Sequence, residues 1–409
     1  MFFKHYLKKK RIYLDYASST PLDCKMLSGF PKIPFWASGA NPGALHKEAV
    51  ALKSFLRDAR DVASIAIGAQ SDEIIFTSGA TESDNLAVFG FLKNQIDQGV
   101  NPKDIALYVS SFEHSAIEES LKHVYEGVRV CKLPQEDGYV LPGSITIAEE
   151  FKVILISVIF VQNEIGTTQD IKGIAKRVRK LRKENPEKNI VFHTDATQAP
   201  LYYDLNVLRL GVDMMTLGAT KLYCPKGVGM LFKKRAIKLS PIIYGGGQEL
   251  GLRPGTEPVE LIHKFAHALS FAQKNREKEF EKIKPLQEYF ENKVKKEFPQ
   301  VALTGIGDRS PHITHLVIPN IDSELLVLEL DARGIAVSSK SACKNDASAR
   351  ASTELSRTSS AQAPDILSLL YPNQNLGAVR ISYGRNTTKR ELDKTIKALG
   401  EVLKKYNLN

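Results

Sequence analysis

Ser78-Gly79-Ala80-Thr81-Glu82 lies between a β-branched stretch and a helical pattern. Its small side chains would let free backbone N–H groups and the positive end of a helix approach an anion, and the Thr81 hydroxyl adds a donor. The segment is a candidate phosphate cradle, although taken alone it reads sooner as an ordinary strand-to-helix turn with Thr81 as N-cap. Further along come Glu113-His114, Gln162-Asn163-Glu164, Asp195 with Gln198, and Lys221, each after another short apolar stretch. Singly, His114 reads as a structural histidine, Asn163 as a turn residue, Asp195 as a helix cap and Lys221 as a solvated charge. Together they offer an imidazole, amides, a carboxylate, an amine and an anion cradle, a set that folding alone does not require.

The stretches that precede these residues are Glu73 to Thr77, Ile105 to Ser110, Val153 to Val161, Ile190 to Thr194 and Met214 to Leu217. Val128 to Leu133 and Val228 to Phe232 complete the set, and helical periodicity fills the gaps at about Ala49 to Ile67, Thr81 to Asp97, Ser115 to Tyr125 and Ile171 to Glu184. Such alternation predicts an α/β fold with a mostly parallel sheet covered on both faces. Ligands collect at the carboxyl ends of strands in such a sheet, so the chemistry-bearing residues converge on one crevice. A crevice with those groups suits pyridoxal phosphate: Lys221 for C4′, Asp195 for the pyridine nitrogen, His114 over the ring and Thr81 at the phosphate. Lys226, fixed between Pro225 and Gly227, reads as structural.

The 409 residues are 43% hydrophobic and 25% charged, which excludes collagen-like, disordered and disulfide-scaffold classes and suffices for two domains. Lys and Arg number 56 against 46 Asp and Glu, a net charge of +10 that suits a phosphate-bearing ligand, an acidic partner or a nucleic acid. Cys24, Cys131, Cys224 and Cys343 form no CxxC pair, which points to free thiols in a reducing compartment. The basic opening MFFKHYLKKKRIYLD lacks an apolar signal core, and Val153 to Val161 is far too short to span a bilayer. A cytoplasmic chain without membrane association is expected.

TSGATESDNLA (Thr77 to Ala87), EHSA (Glu113 to Ala116), NEIGT (Asn163 to Thr167), HTDATQAP (His193 to Pro200), KLYCPKGVG (Lys221 to Gly229), GGGQE with RPGTEP (Gly245 to Pro258), SACKN (Ser341 to Asn345) and VRISYGR (Val379 to Arg385) follow one another in the order and at the intervals found in cysteine desulfurases. With YLDYASSTP (Tyr13 to Pro21) the resemblance covers nearly the whole chain. It implies a fold type I pyridoxal phosphate-dependent transferase that converts L-cysteine to L-alanine and leaves sulfur as a persulfide on Cys343. Carried over, Lys221 is the Schiff-base lysine, Asp195 the partner of the pyridine nitrogen, and His114 the stacked ring and proton shuttle. Asn163 lies near substrate and ring hydroxyl, Gln198 on the ring oxygen, and Arg380 on the substrate carboxylate. Ala80 and Thr81 hold the phosphate, with Thr256 reaching the phosphate of the neighbouring subunit in a homodimer. A sulfur-acceptor protein, an iron–sulfur scaffold or a thiolation protein, is the implied partner; direct nucleic-acid binding is not expected. Gly218-Ala219-Thr220 stands where similar enzymes usually have Ser-Gly-His, leaving that phosphate contact to Thr220 and backbone N–H groups. Lys340 and Cys224 stand where glycine is usual.

The expected architecture is a large cofactor-binding domain over 15–257 and a smaller α+β domain from 1–14 and 258–409, which carries a mobile cysteine loop over about 339–364. The small domain reads as a long helix, Pro258 to Phe298, which Pro285 can kink or split, then strands at Ile313 to Ile318, Ile335 to Ser338 and Ala378 to Ser382, a helix at Asp322 to Arg333, and a last helix opened by the capping box Thr388-x-x-Glu391. No metal site is expected. His263 and His267 have Lys264 where a metalloprotease helix needs Glu, and His312 and His315 lack nearby Cys or carboxylate partners. Three alternatives remain at this point: a selenocysteine lyase, another fold type I enzyme such as an aminotransferase, or a degenerate cofactor-binding scaffold.

Overall fold

The computed structural model describes residues 11–305, 307–339, 366–371, 374 and 376–408. Cys343 and the segment predicted as a long loop after it lie outside them. The seven strands predicted before residue 257 form one sheet: β1 (Ile74–Thr77), β2 (Ile105–Val109), β3 (Arg129–Lys132), β4 (Val153–Ser157), β5 (Asn189–Asp195), β6 (Met214–Gly218) and β7 (Gly229–Lys233). Their order across the sheet is β3-β2-β4-β5-β6-β7-β1. The pairings from β3 to β6 are parallel, whereas β7 runs antiparallel to both β6 and β1. Residues 219–228 are too few to carry a parallel crossover, so β7 returns beside β6 in the opposite sense. Every residue of β1, β2, β4, β6 and β7 is buried, the pattern of strands covered on both faces. Ile75, Leu107, Leu155, Val191 and Leu231 share one core cluster with Leu86, Val88 and Phe91 from the helical run that follows β1.

Several predicted bounds shift for local reasons. β4 ends at Ser157, yet the chain stays extended beside β5, with Val158 donating to His193 O (3.1 Å) and Phe160 to Asp195 O (2.8 Å). The helix predicted over Ser115 to Tyr125 breaks into α-helix Ser115–Glu118 and a 3-10 turn at Ser120–His123. The Ser120 hydroxyl donates to the Ile117 carbonyl at 2.6 Å, a side-chain bond that competes with the helix ladder. Ile171–Glu184 forms as predicted, and Asp170 caps it by accepting from Gly173 N–H.

The chain divides into two compact units, one of Pro21–Val161 with Gln169–Glu277, the other of Met1–Thr20, Gln162–Thr168 and Lys278–Asn409. The change of texture after Thr256 predicts a boundary near 257; the division instead falls inside Val259–Glu297, a single helix that continues through Pro285 without splitting. Its last turns are fastened into the second unit: Gln287 donates to the carbonyls of Ser310 and Ile313, Phe290 meets the Tyr383 ring, and Glu291 pairs with Arg309. That unit holds a three-stranded antiparallel sheet of β8 (Ala302–Leu303), β9 (Ile313–Pro319) and β10 (Leu376–Ser382). Ile12–Tyr13 pairs in parallel with Ile335–Ala336, which ties the start of the chain to this unit. The Thr388–Glu391 capping box forms in both directions.

Candidate active site

In the larger unit the candidate residues sit where strands end. After β1 the chain turns at Gly79 into the helix that begins at Ala80, so Gly79 and not Thr81 is the cap. Ser78 N–H is taken by the Glu82 carboxylate (2.8 Å), which Arg253 holds from its other oxygen (3.1 Å). The N–H groups of Ala80 and Thr81 have no acceptor among the described residues, as the first donors of a helix do not. A Cβ on Gly229 would lie 2.5 Å from the Gly79 carbonyl carbon, and one on Gly218 would meet Ala80 Cβ at 3.1 Å. The first residue of β7 and the last of β6 are thus pressed against this turn, and only glycine permits that approach at position 229. Outside the turn there is open space, since a Cβ on Gly79 would meet nothing within 4 Å. An anion fits such a cradle of unpaired N–H groups at a helix start.

Asp195 ends β5, is buried, and accepts from Thr197 N–H at 2.8 Å. Gln198 is buried three residues on. His114 caps the short helix Ser115–Glu118 by accepting the Ala116 N–H on Nδ1 (3.1 Å), so its exchangeable ring proton belongs on Nε2. Lys221 closes the 3-10 turn Ala219–Lys221 directly after β6, with Thr220 beside it, both half-buried. Lys226 is exposed. Thr256 is exposed beyond Gly255, whose positive φ of 97° makes the turn before the long helix. Buried titratable groups back this region: Glu113 accepts from Ile159 N–H (2.7 Å), and burial pushes its carboxyl well up.

Asn163 and Arg380 belong to the smaller unit. Arg380, on β10, is 1% exposed. Its Nη1 donates to the Asn163 carbonyl (2.7 Å), and Nη2 donates to Asp15 Oδ1 (2.7 Å) and Ser18 Oγ. Two residues singled out for the substrate, 217 positions apart, are therefore in direct contact. Asn163 Oδ1 and Arg380 Nε are both buried without a hydrogen-bond partner, an unsatisfied pair of opposite polarity that a bound ligand can complete. Asp15 stands in YLDYASSTP, and only its bridge to Ser382 brings it to β10.

Three of the four cysteines are described. Cys24 is exposed, Cys131 lies in β3, and Cys224 is buried with its Sγ donating to the Ala219 carbonyl at 3.4 Å. Burial pushes the Cys224 thiol up to about 12, so it stays protonated and unreactive at neutral pH. The rings of His263 and His267 lie 4.4 Å apart, tilted to one another, and meet Phe55 and Phe30, while His312 and His315 bond to Ser310 and Thr304. Among the described residues no group of three or more His, Cys, Asp or Glu could hold a metal ion, and no helix is long and apolar enough to cross a membrane.

The family model for class-V aminotransferases matches residues 12–395. A cysteine desulfurase IscS of Dictyoglomus turgidum is 34% identical over 97% of this chain and 95% of its own. Among solved structures, a NifS-like protein of Rickettsia africae superposes with a TM-score of 0.78 at 26% identity, covering 97% of this chain and all of that one. A structure of SspA in complex with cysteine gives 0.71 at 27% identity over 91% and 98% of the two chains. The fold is that of fold type I enzymes. The chain belongs to the class-V aminotransferase family and, within it, to the cysteine desulfurases, a family that depends on pyridoxal phosphate.

Proposed function

We propose that this chain is an enzyme that moves the sulfur of L-cysteine onto its own Cys343, releasing L-alanine. Family membership over almost the full length supports the reaction, and the observation that carries the chemistry is the row of strand ends in the larger unit: anion cradle at Ala80 and Thr81, carboxylate at Asp195, lysine at Lys221. These residues fit pyridoxal phosphate, since a cradle of unpaired N–H groups, a buried carboxylate and an amine match its phosphate, ring nitrogen and aldehyde. When bound, the cofactor supplies an electron sink for the bonding pair released at the substrate Cα.

Ala80, Thr81 and Thr220 would hold the phosphate, Asp195 the ring nitrogen, and His114, Gln198 and Asn163 the remaining ring positions. Lys221 removes the Cα proton and is suited to return a proton to Cβ. His114 carries its mobile proton on Nε2, the nitrogen left over by its cap. Arg380 draws the substrate carboxylate to its unsatisfied Nε, while Asp15 and Ser18 fix the guanidinium plane. The Cys343 thiolate attacks the substrate sulfur. The S–S bond forms as the Cβ–S bond breaks, so cysteine and a thiol become alanine and a persulfide without an external oxidant. A second copy of the chain would bring its Thr256 to the phosphate, an acceptor protein, either an iron–sulfur scaffold or a thiolation protein, would take the sulfur, and the cytoplasm is the matching compartment.

A cysteine pulse followed by peptide mass mapping tests the reading. Extra sulfur on Cys343, with alanine formed and both lost in Cys343→Ser, is the expected result. Alanine formed with free elemental sulfur and without a protein persulfide would replace it with a lyase, and extra sulfur on Cys224 would move the nucleophile.

A further inference from the structure

Asp84 follows the cradle on the same helix and takes no part in the proposed reaction. It is wholly buried, and neither carboxyl oxygen is satisfied by a well-formed hydrogen bond. The nearest basic atom is His193 Nε2, 3.8 Å from Oδ1 and outside hydrogen-bond reach. His193 lies two residues before Asp195 on β5, and its ring is bracketed by the Ser157 hydroxyl on Nδ1 (2.9 Å) and the Thr216 hydroxyl on Nε2 (3.1 Å). Thr216 is in turn the register partner of Asp195 on β6. Burial drives the His193 pKa down to about 3, so the ring is neutral and gives Asp84 no counter-charge. No Lys or Arg ion pair reaches Asp84 or Glu113 among the described residues. Three buried carboxyls, Asp84, Glu113 and Asp195, thus share one neighbourhood, and each ionised member opposes the others.

An unpaired carboxylate in such a place costs far more than its protonated form. We infer that Asp84 is a neutral carboxylic acid and a positioning residue for Asp195, packing His193 and Thr216 beside it. Burial acts in the same direction on Asp84, with the charge of Asp195 second and the Thr216 hydroxyl opposing. The role at Asp195 rests on the proposed function; the protonation of Asp84 does not.

Infrared difference spectra of wild type against Asp84→Asn, recorded at neutral pH with and without pyridoxal phosphate, read the proton directly. The C=O stretch of a protonated acid, present in wild type and absent from Asp84→Asn, is expected, and a carboxylate band at that position overturns the inference even if no cofactor binds. In loaded protein, Asp84→Asn, the shape of the neutral acid, is expected to keep the pH midpoint of the cofactor's visible band, while Asp84→Ala moves it. A tenfold or larger change in apparent proton affinity in Asp84→Asn, or none in Asp84→Ala, contradicts the positioning role.

Discussion

The strand ends of the larger unit and the Arg380 cluster of the smaller one gather polar groups by different means. At the strand ends the backbone decides: Asp195 ends a strand, Ala80, His114 and Lys221 stand shortly beyond one, and sheet topology puts strand ends in a row. Around Arg380 side chains from remote segments decide, with Asp15 and Ser18 from the start of the chain and the Asn163 carbonyl from the 162–168 excursion all meeting one guanidinium. Function at the first site should therefore be separable from stability, whereas at the second the two should fail together.

Lys221→Ala gives the largest expected effect: loss of the visible cofactor band and at least a ~10³-fold fall in alanine production with little change in melting temperature, while the exposed Lys226→Ala stays near wild type in both. A melting loss in Lys221→Ala would break the separation. Arg380→Ala sharpens the other side, because it strands Asp15 and the Asn163 carbonyl. A cost of about 3–5 kcal/mol in denaturant unfolding is expected together with a raised KM for cysteine. A raised KM at unchanged stability would show that the guanidinium serves the substrate alone.

Gly229→Ala pushes a methyl group into the Gly79 backbone, where the nearest atom is 2.5 Å away. Calorimetry should show destabilisation of about 1–3 kcal/mol, and weakened cofactor affinity should accompany it because the displaced turn is the cradle. Smallest is Cys224→Ser. With the buried thiol held up at about 12, cysteine turnover should stay within about twofold of wild type, and a collapse would make Cys224 a participant.

The same contrast explains what could be read without coordinates. The seven strands were legible because β-branched runs bounded by turn residues need no long-range information, and Ala80, His114, Asp195 and Lys221 came with their strands. The antiparallel sense of β7 is contained in the short 219–228 connection but needs the sheet order to become visible. Helix continuity through Pro285 was hidden, since it depends on Gln287, Phe290 and Glu291 finding partners far along the chain. Asp15 in YLDYASSTP and Asp84 in TSGATESDNLA carry no local signal of their surroundings, which arise from pairing with β10 and from burial beside His193.

The central claim, that the strand-end row of the larger unit carries the chemistry through Lys221, is tested most directly by borohydride reduction of the protein loaded with pyridoxal phosphate, followed by peptide mass mapping. A single reduced pyridoxyl label on Lys221 is predicted. Label on Lys226, or no label under conditions in which cysteine is still converted to alanine, would contradict it.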